Sequence, residues 1–464
     1  MKKCISLVLT FVFMLLMVNN ANAAGKTVAG FKNNDYSGKS SDAREIVDAV
    51  YGESSGYQKT YREATNVSNA DFFSKDYTIK YWSSHGSPSG TVYGDANNVS
   101  AQMTSTTKFS GGNLEFLFLA ACRQLTGSGD NPRAWYANSM VGNKAVRVIC
   151  GYHEGAPKAK DDVVAKSFIK FAKTGESVKS SWIKSNIEVY TETGYTDSKN
   201  FLVLTHNNNS QYSRFEGFPG NTYTRPGSSS TSILRFSYVN QSGTSQPYSV
   251  NLLDEKMEKM KKENVPEAPI MVKEKREKYI SDGEIGHTEA TISERGVLSK
   301  AEEWLNSGVE HENMSSITIR QDQKTASIEP IVMAEVKENS EEECEVPVAY
   351  VLEYNNTYNG IRLLGDTFTT IVDDTGVLYG NYVWHEVIGP VAREKTSQKV
   401  EAEEAFEKAL RYQSIHEENG EIVDADIVYI ATEQSNIFEP AWMFELQSNQ
   451  RIFVSCLTGE LSVK

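Results

Sequence analysis

Two stretches decide how this chain folds: Tyr77-Thr78-Ile79-Lys80-Tyr81-Trp82-Ser83-Ser84-His85-Gly86 and Leu114-Glu115-Phe116-Leu117-Phe118-Leu119-Ala120-Ala121-Cys122. Each is a short run rich in aromatic and aliphatic residues, which reads as a buried strand, and each runs on into a reactive side chain. In an α/β protein, ligands bind in the crevice at the carboxyl ends of parallel strands. Neighbouring strands of this kind would deliver a nucleophile, Cys122, and a base, His85, to one rim.

Other segments alternate between strand and helix patterns. Ser41 or Asp42 can cap a helix through Glu45, Ile46, Val47 and Val50. A polar, Gly-rich loop over 86–112 separates the two reactive stretches, and Pro132 opens a second helix toward Met140. An apolar block at Ala145 to Ile149 reads as a strand. Val163 to Ala172 and Val178 to Ile183 recur at helical spacing, and Phe201 to Leu204 reads as a further buried strand. The expected fold is α/β, a mostly parallel sheet with helices on both faces.

His-Gly after one hydrophobic block and Ala-Cys after another resemble the caspase, gingipain and clostripain superfamily of cysteine peptidases (clan CD). Here the pairs are His85-Gly86 and Ala121-Cys122. Relative to the caspase signature Gln-Ala-Cys-Arg-Gly, Ala121, Cys122 and Arg123 match, while Ala120 and Gln124 depart from it, which is the pattern of a distant bacterial member. The resemblance implies Cys122 as nucleophile, His85 as base and acid, and the backbone N–H groups of Gly86 and Cys122 as oxyanion donors. It requires no third residue to orient the imidazole. Arg123 and His153 are expected at the rim of the cleft, and His206 could approach it. The same residues also admit a blander reading: Cys122 as a small buried hydrophobe, or paired with Cys150, and His85 as a turn residue bonded to backbone.

Charge is divided between two halves. The chain carries a formal net charge of -14, yet residues 24–240 hold 24 basic and 19 acidic side chains and residues 241–464 hold 21 and 42. An acidic half beside a mildly basic one argues against nucleic acid as a partner and fits either an intramolecular contact between the halves or a solvated surface. Lys2, Lys3, the apolar run Ile5 to Val18 and Ala21-Asn22-Ala23-Ala24 read as a secretory signal peptide over 1–23. No other run approaches the length of a membrane helix. A secreted or extracytoplasmic location follows. Beyond Cys4, four cysteines remain: Cys122, Cys150, Cys344 and Cys456.

The acidic half repeats itself. Ala301-Glu302-Glu303-Trp304-Leu305 returns as Ala402-Glu403-Glu404-Ala405-Phe406, Pro347 to Glu353 returns as Pro440 to Glu445, and Thr375-Gly376 returns as Thr458-Gly459. The order, one helix and then strands joined by a Thr-Gly turn, resembles tandem PepSY domains, small units found in peptidase propeptides and exported regulators. The expected boundaries are a caspase-like domain at 24–240, a charged linker at 241–290, and PepSY-like repeats at 291–395 and 396–464. No metal motif, cofactor motif or phosphate-cradling glycine loop stands out.

Two functions follow as expectations. One is an exported cysteine endopeptidase acting on peptide or protein substrate, its acidic half regulatory or inhibitory, with Lys256 to Lys262 and Lys273 to Lys278 as self-processing sites if basic residues are preferred. The other is a catalytically inactive caspase-like scaffold that binds peptide outside the cell.

Overall fold

The computed structural model describes residues 26–32, 42–53, 56–63, 70–74, 77–93, 99–109, 113–127, 130–143, 145–157, 160–193, 195–207, 209–219, 232–238, 250–262, 265–307, 327–336, 344–392, 399–416, 421–433, 436–446 and 450–463. The expected signal peptide at 1–23 and the candidate cap Ser41 lie outside them. The fold is mixed α/β, and the chain divides into two units. The first comprises residues 1–186, 200–235 and 335–343, and the second residues 187–199, 236–334 and 344–464.

In the first unit the elements run β1 (Lys26–Lys32), α1 (Asp42–Glu53), β2 (Tyr57–Glu63), β3 (Ile79–Ser83), β4 (Thr91–Tyr93), β5 (Val99–Gln102), β6 (Phe116–Ala120), α2 (Pro132–Gly142), β7 (Val148–Tyr152), α3 (Asp161–Lys173), α4 (Val178–Thr193), β8 (Phe201–His206) and β9 (Ile233–Tyr238). α4 and β9 each carry the chain from one unit into the other. Strand β1 pairs in parallel with β2 on one side and β3 on the other. β3 then pairs in parallel with β6, and β6 with β7. β8 closes the order antiparallel to β7.

Every residue of β3, β6, β7 and β8 is buried. That is why these strands read as continuous apolar runs: a parallel sheet covered on both faces has no solvent side to mark with polar residues. On one face Trp82, Leu117, Leu119 and Ile149 join Tyr136, Ala137 and Met140 of α2 in one core. On the other, the Phe118 ring lies 5.2 Å from Phe168 of α3 and 5.7 Å from Trp182 of α4. Helix α2 begins where Pro132 predicts, with the Asn131 side chain accepting from Ala134 N at 3.1 Å. Gly30 lets α1 close on β1, since a Cβ there would stand 2.8 Å from Val47 Cγ2.

The second unit contains α5 (Val250–Met260), β10 (Ile270–Val272), β11 (Arg276–Ser281), α6 (Glu294–Asn306), β12 (Ser327–Val336), β13 (Val346–Tyr358), β14 (Ile361–Val372), β15 (Val377–Trp384), β16 (Val387–Pro390), α7 (Ala402–Ile415), β17 (Ile422–Ala431), β18 (Ile437–Leu446), β19 (Arg451–Ser455) and β20 (Leu461–Val463). The segment 241–290 is thus more than a connector: β11 pairs antiparallel with β15, and β10 with both β16 and β18. Its density of Lys and Glu disguises β11, which buries few side chains, as its alternating half-buried pattern shows.

The repeat in the sequence is a repeat in the fold. After α6 come β12, β13, β14 and β15, each antiparallel to the next, and after α7 come β17, β18, β19 and β20 in the same sequence of pairings. Val297, Ala301, Trp304 and Leu305 of α6 bury against Leu352, Phe368 and Val372, while Ala402, Ala405 and Ala409 of α7 bury against Trp442, Phe444 and Ile452. The Thr-Gly dipeptides occupy corresponding turns. Asp373 Oδ1 accepts from Thr375 N at 2.7 Å and Gly376 N at 3.1 Å, and Ser455 Oγ accepts from Thr458 N at 3.3 Å. Among the described residues no helix is long and apolar enough to cross a membrane.

Candidate active site

Register places the two reactive side chains. Ile79 stands opposite Phe116 and Ser83 opposite Ala120, and the ladder continues one residue further as Ser84 N donates to the Ala120 carbonyl at 3.2 Å. His85 and Cys122 each lie two residues past the last paired residue of its strand. Adjacent strands are about 4.8 Å apart, so equal offsets from one register bring both residues to one level of the same rim.

Close packing of backbone confirms the approach of the two loops. A Cβ on Gly86 would collide with the Cys122 carbonyl oxygen, and would stand 2.8 Å from Gln124 Nε2 and 3.2 Å from Ala121 Cβ. Only glycine leaves room there. The His85 carbonyl accepts from Tyr93 N and from Ser84 Oγ, both at 2.9 Å, and Ser84 Oγ in turn accepts from Trp82 Nε1 at 2.8 Å. The backbone carrying the imidazole is therefore anchored to the core tryptophan below it.

Gln124, fully buried, stitches the two loops together. Its Nε2 donates to Thr91 O at 2.8 Å and to Ser87 O at 3.3 Å, while its Oε1 accepts from Tyr136 OH at 3.2 Å. The departure from the caspase signature at this position thus has a use: a side chain with both donor and acceptor ties the loop after Cys122 to the loop after His85. Sequence reading marked Gln124 only as a mismatch. Gln124 follows the charged Arg123 in the sequence, so nothing there announces that its amide is buried.

A third loop, residues 153–157, closes on the cysteine. Arg123 turns the chain with a left-handed φ of 59°. Its N–H donates to Glu154 O at 2.8 Å, and its Nε meets Glu154 Oε2 at 2.9 Å. Ala156 N donates to Cys122 Sγ at 3.3 Å. The Arg123 side chain is about half exposed at the surface of this loop. His153 is buried, 5% exposed, rather than open to the cleft. Burial, then the cations Arg235 and Arg133, pushes its imidazole down to about 3, so the ring is neutral.

Two other sequence readings are corrected. His206 ends β8, but β8 is antiparallel: Thr205 faces Val148 and Phe201 faces Tyr152, so His206 lies at the opposite end of the strands from Cys122. Cys150 stands opposite Phe118, four residues before Cys122, and burial raises its thiol well above the usual range. Four residues of strand span about 13 Å, beyond disulfide reach. Cys122, Cys150, Cys344 and Cys456 are all free thiols, with Cys122 partly accessible and Cys344 exposed.

Below the rim, Asp42 at the first turn of α1 is completely buried. Desolvation raises its carboxyl, against hydrogen bonds from Ser83, the Ala43 backbone and Tyr81. Among the described residues no group of three or more His, Cys, Asp or Glu gathers to hold a metal ion.

Residues 15–239 match a family model described as a domain of unknown function, DUF6345. No curated protein matches the chain. The matched span holds His85, Gly86, Cys122 and the 153–157 loop, and it ends four residues beyond Arg235, where the first unit gives way to the second.

Proposed function

We propose that the chain is an exported cysteine endopeptidase-like protein of caspase-like fold, with a PepSY-like second half that regulates or inhibits it. The observation that supports this reading is the shared register of β3 and β6, from whose last pair, Ser83 and Ala120, His85 and Cys122 follow at equal offsets at the carboxyl rim of parallel strands. The twofold recurrence of a helix and four antiparallel strands supports the PepSY-like reading of the second half.

The chemistry proceeds in two halves. His85 takes the Cys122 proton, and the thiolate sulfur attacks the scissile carbonyl carbon, placing the negative charge on the carbonyl oxygen. The N–H groups of Gly86 and Cys122 stabilise that oxyanion. As the carbon–nitrogen bond breaks, the imidazolium returns its proton to the departing amine, leaving a thioester. Water, deprotonated by His85, then attacks the thioester and releases the carboxylate and the free thiol.

A panel of peptidyl acyloxymethyl ketones with varied side chains tests the reading. A covalent adduct mapped to Cys122 for at least one side-chain class, absent in Cys122→Ala, is the expected result. Adducts found only at the exposed Cys344, or none at all, refute it and leave the peptide-binding scaffold. If a basic side chain is preferred, self-cleavage at Lys256 or Lys259 requires α5 to unwind, and at Arg276 or Lys278 it requires β11 to leave its ladder with β15.

A further inference from the structure

The loop that follows β7 has a task that neither reactive side chain performs. Ala156 directs its backbone N–H at Cys122 Sγ, 3.3 Å away. An N–H donor favours the charged form of a sulfur acceptor, because a hydrogen bond to an ion is worth more than one to a neutral atom. The donor has value only if the loop is held. Four contacts hold it. Arg123 grips Glu154 through backbone and side chain, as described above. Asn200 clamps the same loop from the other side: its carbonyl accepts from His153 N at 3.0 Å and its Nδ2 donates to Gly155 O at 3.1 Å. Each residue from His153 to Ala156 therefore makes a directed hydrogen bond to a fixed neighbour.

The clamp rests on rigid elements. Asn200 immediately precedes β8, whose first residue, Phe201, is opposite Tyr152 at the end of β7. The Tyr152 carbonyl accepts from Leu125 N at 3.0 Å, which ties the end of β7 to the turn after Cys122. The antiparallel strand that removes His206 from the site thus brings Asn200 to it.

We infer that the 153–157 loop is a built donor for the Cys122 sulfur: the Ala156 N–H stabilises the thiolate, and Asn200 is the positioning residue that holds that N–H in place. This deepens the proposed peptidase reading, since a thiolate is the attacking species there. It does not depend on any substrate being cleaved.

The experiment follows alkylation of Cys122 by iodoacetamide as a function of pH, in the full mature chain carrying Cys344→Ser, with the adduct located by mass mapping. Ala156→Pro removes the N–H, and Ala156→Ser keeps it. Loss of one hydrogen bond to a charged acceptor corresponds to about tenfold or more. Ala156→Pro should therefore react about tenfold more slowly at pH 7, with the inflection of its profile moved to higher pH and the plateau at high pH retained. Ala156→Ser should follow the unmodified chain.

Asn200→Leu serves as a second variant that leaves Ala156 itself intact, and it should shift the inflection in the same direction. Far-UV circular dichroism reports whether each variant folds. An unchanged inflection in whichever of the two folds overturns the inference. So does a fall of the plateau alone, which would mean that the loop controls only access. A shifted inflection together with no ketone adduct would uphold the donor and reject the peptidase.

Discussion

Acid should loosen the first unit through His153. Its imidazole is pushed down to about 3 by burial and by Arg235 and Arg133, whereas in the unfolded chain it titrates near 6.5. Between those values the unfolded state binds a proton that the folded state refuses, so stability falls as pH falls through this window. One pKa unit is worth 1.36 kcal/mol. Moving from pH 7 to pH 5 therefore costs about 2 kcal/mol from this residue, and pH 4 costs about 3 kcal/mol. For a unit of this size, 2 kcal/mol corresponds to a fall in Tm of about 4 to 8 °C.

The assay is thermal unfolding at pH 7, 6, 5 and 4 of the full chain and of His153→Phe, which keeps a ring in the cavity and removes the titrating group. Carboxylates titrate in both proteins, so only the difference between the two pH profiles reports His153. That difference should open below pH 6.5 and reach about 2 kcal/mol at pH 5. Parallel profiles from pH 7 to pH 4 would show that the imidazole is protonated in the fold or accessible to solvent, and the burial argument would fail. Because His153 begins the loop that reaches Cys122 Sγ, loss of Cys122 reactivity should accompany the transition.

Two further substitutions probe the framework. Gly86→Ala drives a methyl group into the Cys122 carbonyl and toward Gln124 Nε2; overpacking of this kind costs about 1 to 3 kcal/mol, and it should abolish ketone labelling while the far-UV spectrum stays that of a folded chain. Labelling at the unmodified rate would contradict the packing of the two loops. In the second unit, Asp366 is buried with Oδ1 at 2.6 Å from His385 Nδ1 and Oδ2 at 2.7 Å from both Asn356 Nδ2 and His385 N. Asp366→Ala removes the acceptor of His385 N and His385 Nδ1, while Asn356 Nδ2 keeps its bond to the His385 carbonyl, and should cost about 2 kcal/mol or more, read as a lowered denaturant midpoint; a loss below about 1 kcal/mol would mean that water satisfies them.

The two stretches that end in His85 and Cys122 declared themselves because both faces of their strands are buried, which leaves an apolar run that polar loops bracket on either side. Helices α2, α3 and α4 were legible from Pro132 and from apolar spacing. Strands β1 and β2 were not. Lys26–Lys32 contains a glycine, and Tyr57–Glu63 carries three charged residues at a sheet edge, so neither shows a period. The direction of β8 was beyond reach as well, because an apolar hexapeptide has the same composition whichever way it runs. The approach of His206 to the rim, which the sequence left open, is therefore excluded, and Asn200, which the reversal brings to the site, went unnoticed. The contribution of Ala156 is a backbone N–H, which no side-chain motif can announce. In the acidic half the repeat was visible through its turns, while β11 was hidden by Lys and Glu on its exposed positions and β10 by its length of three residues.

The central claim is that the residues two positions beyond β3 and β6 stand side by side. His85→Cys tests it directly. At one level on adjacent strands the two Cα atoms are about 4.8 Å apart, within the 4.4 to 6.8 Å that a disulfide spans. Mild oxidation of this variant, followed by mass mapping, should yield a peptide linked between positions 85 and 122, with Cys122 protected from iodoacetamide until reductant is added. Cys122 remaining fully alkylatable after oxidation, with the introduced thiol free or joined elsewhere, would contradict the pairing on which the proposed chemistry rests.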